Sequence, residues 1–294
     1  NKDMKTTYCM WMAAAFLTVA ASCSNDKTPV VESDELEVKL NLVHPASRVT
    51  DTDFEAQDKI GVYMVTEGTD LQIGGNEVNN ELFSYNGTDW TSERKVYWNE
   101  GLHDIYAYYP YVKSISDTDN YPFTISLDQS SEGTDGISGY EASDFLWASS
   151  KGVSATADAV PLQFRHCMSK LKVVLVKGSD YEGEIPSDCE VYIHNMKPSA
   201  LIDLQEGSVE VSPYAAVETV KCRKLNNTEF TACLVPQRLA SRRPFVEVVT
   251  SNVSYMLEGT ISLKQGYQST VTVTLSQSPE QVEITIGGGI ENWE

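Results

Sequence analysis

Apolar and polar residues alternate one by one along most of this 294-residue chain, which is the pattern of β-strands with one buried face. The clearest run is ELEVKLNLV at residues 35–43. Its apolar side is formed by Leu36, Val38, Leu40 and Leu42. Similar runs are KIGVYMV, DIYAYYPY, FTISL, LKVVLV, EVYIHNM, SVEVS, EFTACLVP, PFVEVVT, YMLEGTISL, STVTVTL and VEITIG, with turn-rich stretches such as EGTDGISG between them. The pattern predicts an all-β protein built from antiparallel sandwiches.

The run PLQFRHCMSKLKVVLV changes its alternation part of the way along. One face of the first part is formed by even-numbered residues, and one face of the second part by odd-numbered residues. They are Leu162, Phe164, His166 and Met168 in the first part and Leu171, Val173 and Leu175 in the second. We therefore predict a β-bulge near Ser169 or Lys170, because one extra residue resets the face that a strand buries. His166 falls on the apolar face with no second histidine or carboxylate at ligand spacing, so we interpret it as a core residue.

The N-terminal 22 residues have the pattern of a signal peptide. Lys5 supplies a positive charge, and the apolar run from Cys9 to Ala21 is shorter than the roughly 20 residues that a spanning helix needs. The sequence AASC, ending at Cys23, is similar to a bacterial lipobox, in which lipoprotein signal peptidase cuts before a cysteine that carries lipid. We therefore expect residues 1–22 to be removed and Cys23 to anchor the protein in the outer membrane. An ordinary secretory signal ending near Ala21 is the alternative.

The chain left after this cleavage is too long for one small core and suits two domains of about 130 residues each. Small and polar residues in GVSATADAV separate two strand-rich halves. The predicted segments are a signal peptide at 1–22, a lipidated linker at 23–34, an N-terminal β-sandwich domain at 35–156 and a C-terminal β-sandwich domain at 157–294.

The chain is strongly acidic, with 42 aspartate and glutamate residues against 22 lysine and arginine residues and a formal net charge of −20. Such a charge repels nucleic acids and anionic membrane surfaces, so neither is expected as the main partner. The sequence contains no HExxH, G-x-S-x-G or Walker motif, and its four histidines lie far apart. We therefore expect no enzyme activity, no metal site and no cofactor.

Four cysteines remain beyond the leader and the lipid-bearing cysteine. They are Cys167, Cys189, Cys222 and Cys233. In an oxidising envelope these four residues can pair in three ways. No CxxC spacing indicates a redox or zinc site. One disulfide and four buried thiols both remain open as interpretations.

Six segments of the chain resemble, in their order and approximate spacing, the fimbrillin-like lipoproteins, which are subunits of type V pili. They are DKIGVYMV, TDWTSERKVYW, HDIYAYYPY, SDFLWA, PLQFRHCMSKLKVVL and CLVPQ, and the likeness extends from Asp53 to Leu275. The resemblance implies two transthyretin-like antiparallel β-sandwich domains in tandem after a lipoprotein signal peptide. It also implies trimming by an arginine-specific protease at the cell surface, polymerisation with other fimbrial subunits by strand exchange, and a role in cell adhesion.

Arg48 is the single lysine or arginine between Lys39 and Lys59, and it lies in the polar stretch that follows the first strand. Given the resemblance, we expect cleavage after Arg48 to release that strand and to open an apolar groove. The displaced residues are Leu36, Val38, Leu40 and Leu42. In the alternative interpretation, Arg48 is a solvated loop residue after a permanent first strand.

The C-terminal segment 281–294 supplies a candidate donor strand for such a groove. Val282, Ile284 and Ile286 alternate with polar residues, as the apolar residues of the first strand do. Insertion into a neighbouring subunit would complete that subunit's sheet and build a head-to-tail filament. In the alternative interpretation, the segment is the last strand of its own sandwich and Trp293 holds it there. A removable strand together with a donor favours a stalk or accessory subunit.

Aromatic residues are dense in KVYWNEGLHDIYAYYPY. They are Tyr97, Trp98, Tyr106, Tyr108, Tyr109 and Tyr111. Exposed rings flanked by carboxylates and amides are typical of carbohydrate-binding surfaces, so a glycan-binding surface lipoprotein that does not polymerise is our second hypothesis. The alternation of Tyr106 and Tyr108 with their neighbours instead favours rings packed in a core.

Overall fold

The computed structural model describes residues 36–45, 53–133, 137–250, 253–278 and 282–293, with the backbone alone for residues 287–291. The predicted signal peptide, the lipidated linker, Cys23 and Arg48 lie outside the described residues, and the expectations about them stay predictions. Within these ranges, no helix is long and apolar enough to cross a lipid bilayer.

Twenty β-strands and one short 3-10 helix, at Glu141–Ser143, make up the regular structure of the described ranges, which confirms the predicted all-β class. The first ten strands are β1 (Leu40–Val43), β2 (Lys59–Thr66), β3 (Val78–Tyr85), β4 (Trp90–Ser92), β5 (Leu102–Tyr109), β6 (Tyr121–Thr124), β7 (Leu146–Ser154), β8 (Val160–Gln163), β9 (Arg165–His166) and β10 (Ser169–Lys177). The other ten are β11 (Glu190–Met196), β12 (Ser199–Ile202), β13 (Val209–Val211), β14 (Glu218–Lys221), β15 (Arg223–Lys224), β16 (Glu229–Leu234), β17 (Arg238–Val249), β18 (Ser254–Ser262), β19 (Tyr267–Leu275) and β20 (Glu283–Asn292).

A six-stranded antiparallel sheet, ordered β4-β3-β2-β5-β7-β9, forms the centre of the first half of the chain. Both of its faces are apolar, because β2 and β5 are buried at almost every position. Ile60, Val62 and Ile105 lie on one face, in a core shared with the two-stranded sheet β1-β8. Tyr63 and Tyr106 lie on the other face, in a core that continues into the second half.

Two further sheets, ordered β15-β16-β10-β19-β20 and β14-β11-β17-β18, form most of the second half. They enclose one core, because alternating side chains of both sheets belong to the same buried cluster. Val173 and Val271 enter it from the first sheet, and Val191 and Val246 enter it from the second. Most strand pairs are antiparallel, as predicted, while the pairs β1 with β8 and β10 with β19 are parallel.

Strands from the two predicted domains share sheets. β6 pairs with β12 over four residue pairs, from Ser199 opposite Thr124 to Ile202 opposite Tyr121. β8 and β9, which follow residue 156, pair with β1 and β7. A division between residues 156 and 157 stays a prediction, since hydrogen-bonded ladders and a continuous core cross that point.

The change of alternation in PLQFRHCMSKLKVVLV has a different cause from the predicted bulge, and that prediction is wrong. The chain passes through three sheets: β8 pairs with β1, β9 joins the six-stranded sheet, and β10 lies in the five-stranded sheet. The register of β10 is continuous from Ser169 and Lys170 onward. Leu162 and Leu171 therefore point into different cores because they belong to different sheets.

All four described cysteines, Cys167, Cys189, Cys222 and Cys233, are buried as thiols. The sequence left open whether these cysteines form a disulfide or stay as buried thiols, and the structure shows buried thiols. Burial raises the pKa of Cys167 to about 12 and also raises the pKa of Cys189. Such thiols stay protonated and unreactive at neutral pH.

Candidate functional site

The first strand and the last strand of the described chain are the two elements that the sequence singled out. The structure places Val38 and Leu40 in the core beside the six-stranded sheet, where they are 6% and 7% exposed. Leu42 packs half-buried against the same core, whereas Leu36 is 38% exposed at the start of the segment. The alternation of this segment thus directs three of its four apolar residues inward.

The backbone of the first segment forms hydrogen bonds on both of its sides. The start of the segment bonds on one side, and β1 bonds on the other. On one side, Val38 donates its N–H to the carbonyl of Val96 at 2.8 Å, and Trp98 donates to the carbonyl of Leu36 at 2.9 Å. On the other side, β1 runs parallel to β8, with Leu40 opposite Val160. The segment therefore occupies a groove between the chain at 96–98 and β8.

The floor of this groove consists of apolar side chains from the six-stranded sheet, from β8 and from Phe164, which directly follows β8. They are Ile60, Val62, Met64, Phe83, Ile105, Ala107, Leu146, Ala148, Leu162 and Phe164. Trp98 closes one rim, because its indole Nε1 donates a hydrogen bond to the carbonyl of Thr156 at 3.0 Å. An extended strand with inward-facing residues at every second position is the shape that fits such a groove.

The last strand, β20, lies at the edge of the five-stranded sheet and pairs with β19 as its only neighbour among the described strands. Val282, Ile284 and Ile286 are half-buried and pack against the core of the second half. Gly259 of β18 makes room for Ile286, because a Cβ added at Gly259 would lie 2.4 Å from the Ile286 Cδ1 atom. The candidate donor is thus an edge strand of its own subunit in this structure.

Trp293, immediately after β20, is 3% exposed. Its backbone N–H donates to the carbonyl of Gly266 at 2.9 Å, and the Lys170 ammonium lies 5.6 Å from the ring centroid. The ring stacks on His166, with centroids 3.8 Å apart and an angle of 4° between the planes. The tail is therefore anchored in its own subunit in this structure, as one of the two interpretations of Trp293 proposed.

His166 is buried, and its Nδ1 atom lies 2.9 Å from the Asp144 Oδ1 atom. A core position was predicted, but its carboxylate partner was not, because Asp144 is separated from it by 22 residues along the chain. The pair aligns the imidazole ring for its stack on Trp293. The arrangement is suited to holding structure rather than to chemistry on a substrate.

Most rings of the predicted aromatic surface are buried. Tyr106, Tyr108 and Tyr109 are 2%, 1% and 8% exposed, and Trp98 is 9% exposed. Burial raises the pKa of Tyr106 to about 12, which keeps its hydroxyl protonated. Since Tyr97, at 37% exposed, is the most open of these rings, the described residues favour a core role for this stretch over a glycan platform.

A cleft of about 910 Å³ opens beside the end of the first segment. Its walls include His44, Phe54, Asp58, Tyr109, Glu141 and Arg223. Burial raises the pKa of the Asp58 carboxyl, whose Oδ1 atom lies 3.5 Å from the Tyr109 hydroxyl. In the described part of the chain, no group of three or more histidine, cysteine, aspartate or glutamate side chains is arranged to hold a metal ion.

Comparison with known families adds a match to the fimbrillin-like family over residues 47–293. The chain is also 25% identical over 221 residues to a candidate fimbrium tip subunit, Fim1C, of Bacteroides ovatus. This similarity covers 66% of the chain and 40% of the relative, so the chain spans less than half of that protein's length.

Among solved structures, two described as candidate cell adhesion proteins have a similar fold. One is from Bacteroides ovatus, with a TM-score of 0.67, 20% identity and coverage of 88% of this chain and 97% of that protein. The other is from Bacteroides uniformis, with a TM-score of 0.66, 18% identity and coverage of 88% and 98%. At these identities the likeness establishes a shared fold.

Proposed function

The chain belongs to the fimbrillin-like family, and from this membership we propose that it is a stalk or accessory subunit that assembles by protease-triggered strand exchange. Family membership supports a subunit of cell-surface fimbriae, and we propose a structural, adhesive role for it without enzyme activity. One observation carries the finer proposal: the first strand fills an apolar groove, while the last strand is an edge strand with matching alternation.

In the proposed pathway, lipoprotein signal peptidase removes residues 1–22 and Cys23 carries the lipid to the outer membrane. An arginine-specific protease then cuts after Arg48, and the first strand leaves its groove. The burial of Val38, Leu40 and Leu42 is worth roughly 4 to 8 kcal/mol by area, as an upper bound. Binding of a replacement strand to the emptied groove would be strongly favourable, because the exposed apolar floor would be buried again and the backbone groups at both rims would regain hydrogen-bond partners.

The tail of a neighbouring subunit is the replacement. Val282, Ile284 and Ile286 repeat at the same two-residue period as Val38, Leu40 and Leu42, so an inserted tail presents one apolar residue wherever the first strand did. Strand addition of this kind gives main-chain hydrogen bonds and side-chain pockets together. Because donor and groove lie on different parts of one subunit, the contact is head-to-tail and grows an open filament.

A tip subunit is the second candidate role, since the B. ovatus relative is named as a tip subunit. A tip needs a groove but no donor, so its tail would stay in its own sheet. The stacked Trp293 is compatible with that role. The two roles differ in one measurable property, which is whether the tail of a processed subunit enters another subunit.

The test is treatment of the purified chain with an arginine-specific protease. We expect a new N-terminus at Val49 by Edman sequencing, and detergent-resistant multimers on an unheated gel. Arg48→Ala should abolish both. Arg48→Lys is the matched control, because it keeps the positive charge and should also resist the protease.

Exposed arginines elsewhere are competing sites, and Arg94 and Arg242 each have side chains that are 77% exposed. If Arg48 is the processing site, Arg242→Ala should leave multimer formation unchanged. Multimers that persist in Arg48→Ala would overturn the processing role. Cleavage without multimers would favour the tip role, and glycan-array binding by such monomers would favour the carbohydrate-binding alternative.

A further inference from the structure

Three aromatic rings from distant parts of the chain meet at one point. His44 directly follows β1, His166 lies in β9, and Trp293 directly follows β20. In addition to the stack of His166 on Trp293, the His44 ring meets the His166 ring at 81°, with centroids 6.0 Å apart. One buried histidine thus contacts both the segment that is expected to leave and the segment that is expected to be donated.

We infer that this ring cluster, His44–His166–Trp293, makes release of the C-terminal strand depend on prior removal of the N-terminal strand. The inference rests on the proposed function and adds an order to its two steps. A subunit that freed its tail first would expose the unpaired edge of β19 and an apolar strand in solution, which promotes unspecific pairing. In an unprocessed subunit, the cluster would keep both the first segment and the C-terminal strand in place.

Trp293 is the main anchor of the tail's end. It is 3% exposed, whereas the apolar side chains at the start of β20 are half-buried. Between Ile286 and Trp293 the chain reads GGGIEN, and the register of β20 with β19 shifts between Ser269 and Val271. Glycines weaken a strand and carry no side chain to pack. The end of β20 therefore depends on the Trp293 ring.

His44 contributes to the position of His166. Its ring also meets Phe54 edge to face, with centroids 4.9 Å apart, so it fills space between the first segment and the chain beyond Arg48. Cleavage after Arg48 puts His44 on the departing side. Water then reaches the imidazole of His166 and competes for its hydrogen bond to Asp144, which loosens the ring on which Trp293 is stacked.

The test measures hydrogen–deuterium exchange of the backbone amides of residues 283–286 in the uncut full chain. In His44→Ala, we expect these amides to exchange roughly three- to tenfold faster than in the wild type, as loss of one aromatic contact implies. Trp293→Ala should have at least as large an effect. Protease-cut wild-type protein should match His44→Ala, and His44→Phe, which keeps a ring, should keep most of the protection.

His194→Ala is the matched control, because His194 bonds Glu247 and Thr219 in a different sheet and should leave β20 exchange unchanged. Unchanged β20 exchange in both His44→Ala and the cut chain would overturn the coupling. If His44→Ala unfolds the whole chain, the cut wild-type protein alone still decides the question.

This outcome is separable from that of the proposed function. Multimers that form after cleavage without prior loosening of β20 would refute the coupling and leave strand exchange intact. Loosening of β20 after cleavage without any multimers would support the coupling and refute strand exchange.

Discussion

The first and the last strand have the same alternating pattern, yet the structure holds them differently. The first segment has backbone partners on two sides and places Val38 and Leu40 in a closed core. The last strand has one described neighbour, and its Ile284 and Ile286 are only half-buried. Alternation sets which residues face inward, whereas burial and the backbone partners along the rims set how firmly a strand is held.

This difference matters for strand exchange. A buried segment with backbone partners at both rims of a groove leaves an apolar vacancy when a protease removes it, and an edge strand leaves its own sheet at a lower cost. The direction of exchange proposed above follows from that asymmetry. Three changes, in order of decreasing effect, would break or sharpen it.

The largest expected effect is in the first strand. Leu40→Ala should lower the free energy of unfolding by about 2 to 4 kcal/mol, because it empties part of a closed core. Ile284→Ala should cost about 1 kcal/mol, because Ile284 is half-buried on an edge strand. Urea denaturation measures both. Val43→Ala is the control and should change little, because Val43 in β1 is 40% exposed.

A larger cost for Ile284→Ala than for Leu40→Ala would reverse the comparison. It would make the tail the firmer of the two strands. The direction of exchange would then lose its energetic basis.

The second change loosens the last strand without touching the first. Gly259→Ala places a methyl group against Ile286 and should cost about 1 to 3 kcal/mol by overpacking. Exchange of β20 amides should rise, while that of β1 amides should not. Adding Ile286→Ala in the double variant should recover much of the loss. Equal loosening of β1 would contradict the separate anchoring of the two strands.

The smallest effect is a response to acid that differs between the two regions. The Ser254 hydroxyl and His194 hydrogen-bond to Glu247 in the second half and hold its pKa below the usual 4.5. The stability from Glu247 is therefore fully present above pH 4.5 and is lost as the pH falls through the lowered pKa. Burial raises the pKa of Asp58, in the cleft beside the first segment, above its usual 3.8. The ionised Asp58 opposes folding, so acidification through its raised pKa removes that cost.

When Glu247 is replaced by glutamine, we expect the free energy of unfolding to depend less on pH between about 6 and 3. We expect Asp58→Asn to stabilise the chain more at pH 6 than at pH 3. Urea midpoints at the two pH values measure this. An Asp58→Asn variant that is less stable at pH 6 than the wild type would contradict the sign.

The alternating pattern predicted the fold class well, because burying one face of a strand requires a two-residue period. The resemblance to fimbrillin-like proteins, stated from six sequence segments, is confirmed by the family match. The phase change before Leu171 was misread, since a bulge and a passage from one sheet to another leave the same trace in a sequence. Only the pairing of β9 and β10 with different sheets separates the two.

The contact of His166 with Asp144 and Trp293 could not be predicted, because the three residues come from separate elements that only the folded chain brings together. Trp293 near the end of the chain was the one available signal. Cys23 and Arg48 lie outside the described residues, and their proposed roles depend on processing enzymes that no alternation pattern reveals.

The ladder between β6 and β12 has a mechanical consequence. It ties residues 121–124 to residues 199–202 by four residue pairs, in parallel with the covalent link that runs from β7 through β11. Under the proposed strand exchange, tension that enters near the groove and leaves through the tail would therefore be shared between peptide bonds and a sheet. In a fibre built in the proposed way and pulled by flowing liquid, this ladder would resist separation of residues 121–124 from residues 199–202 within each subunit.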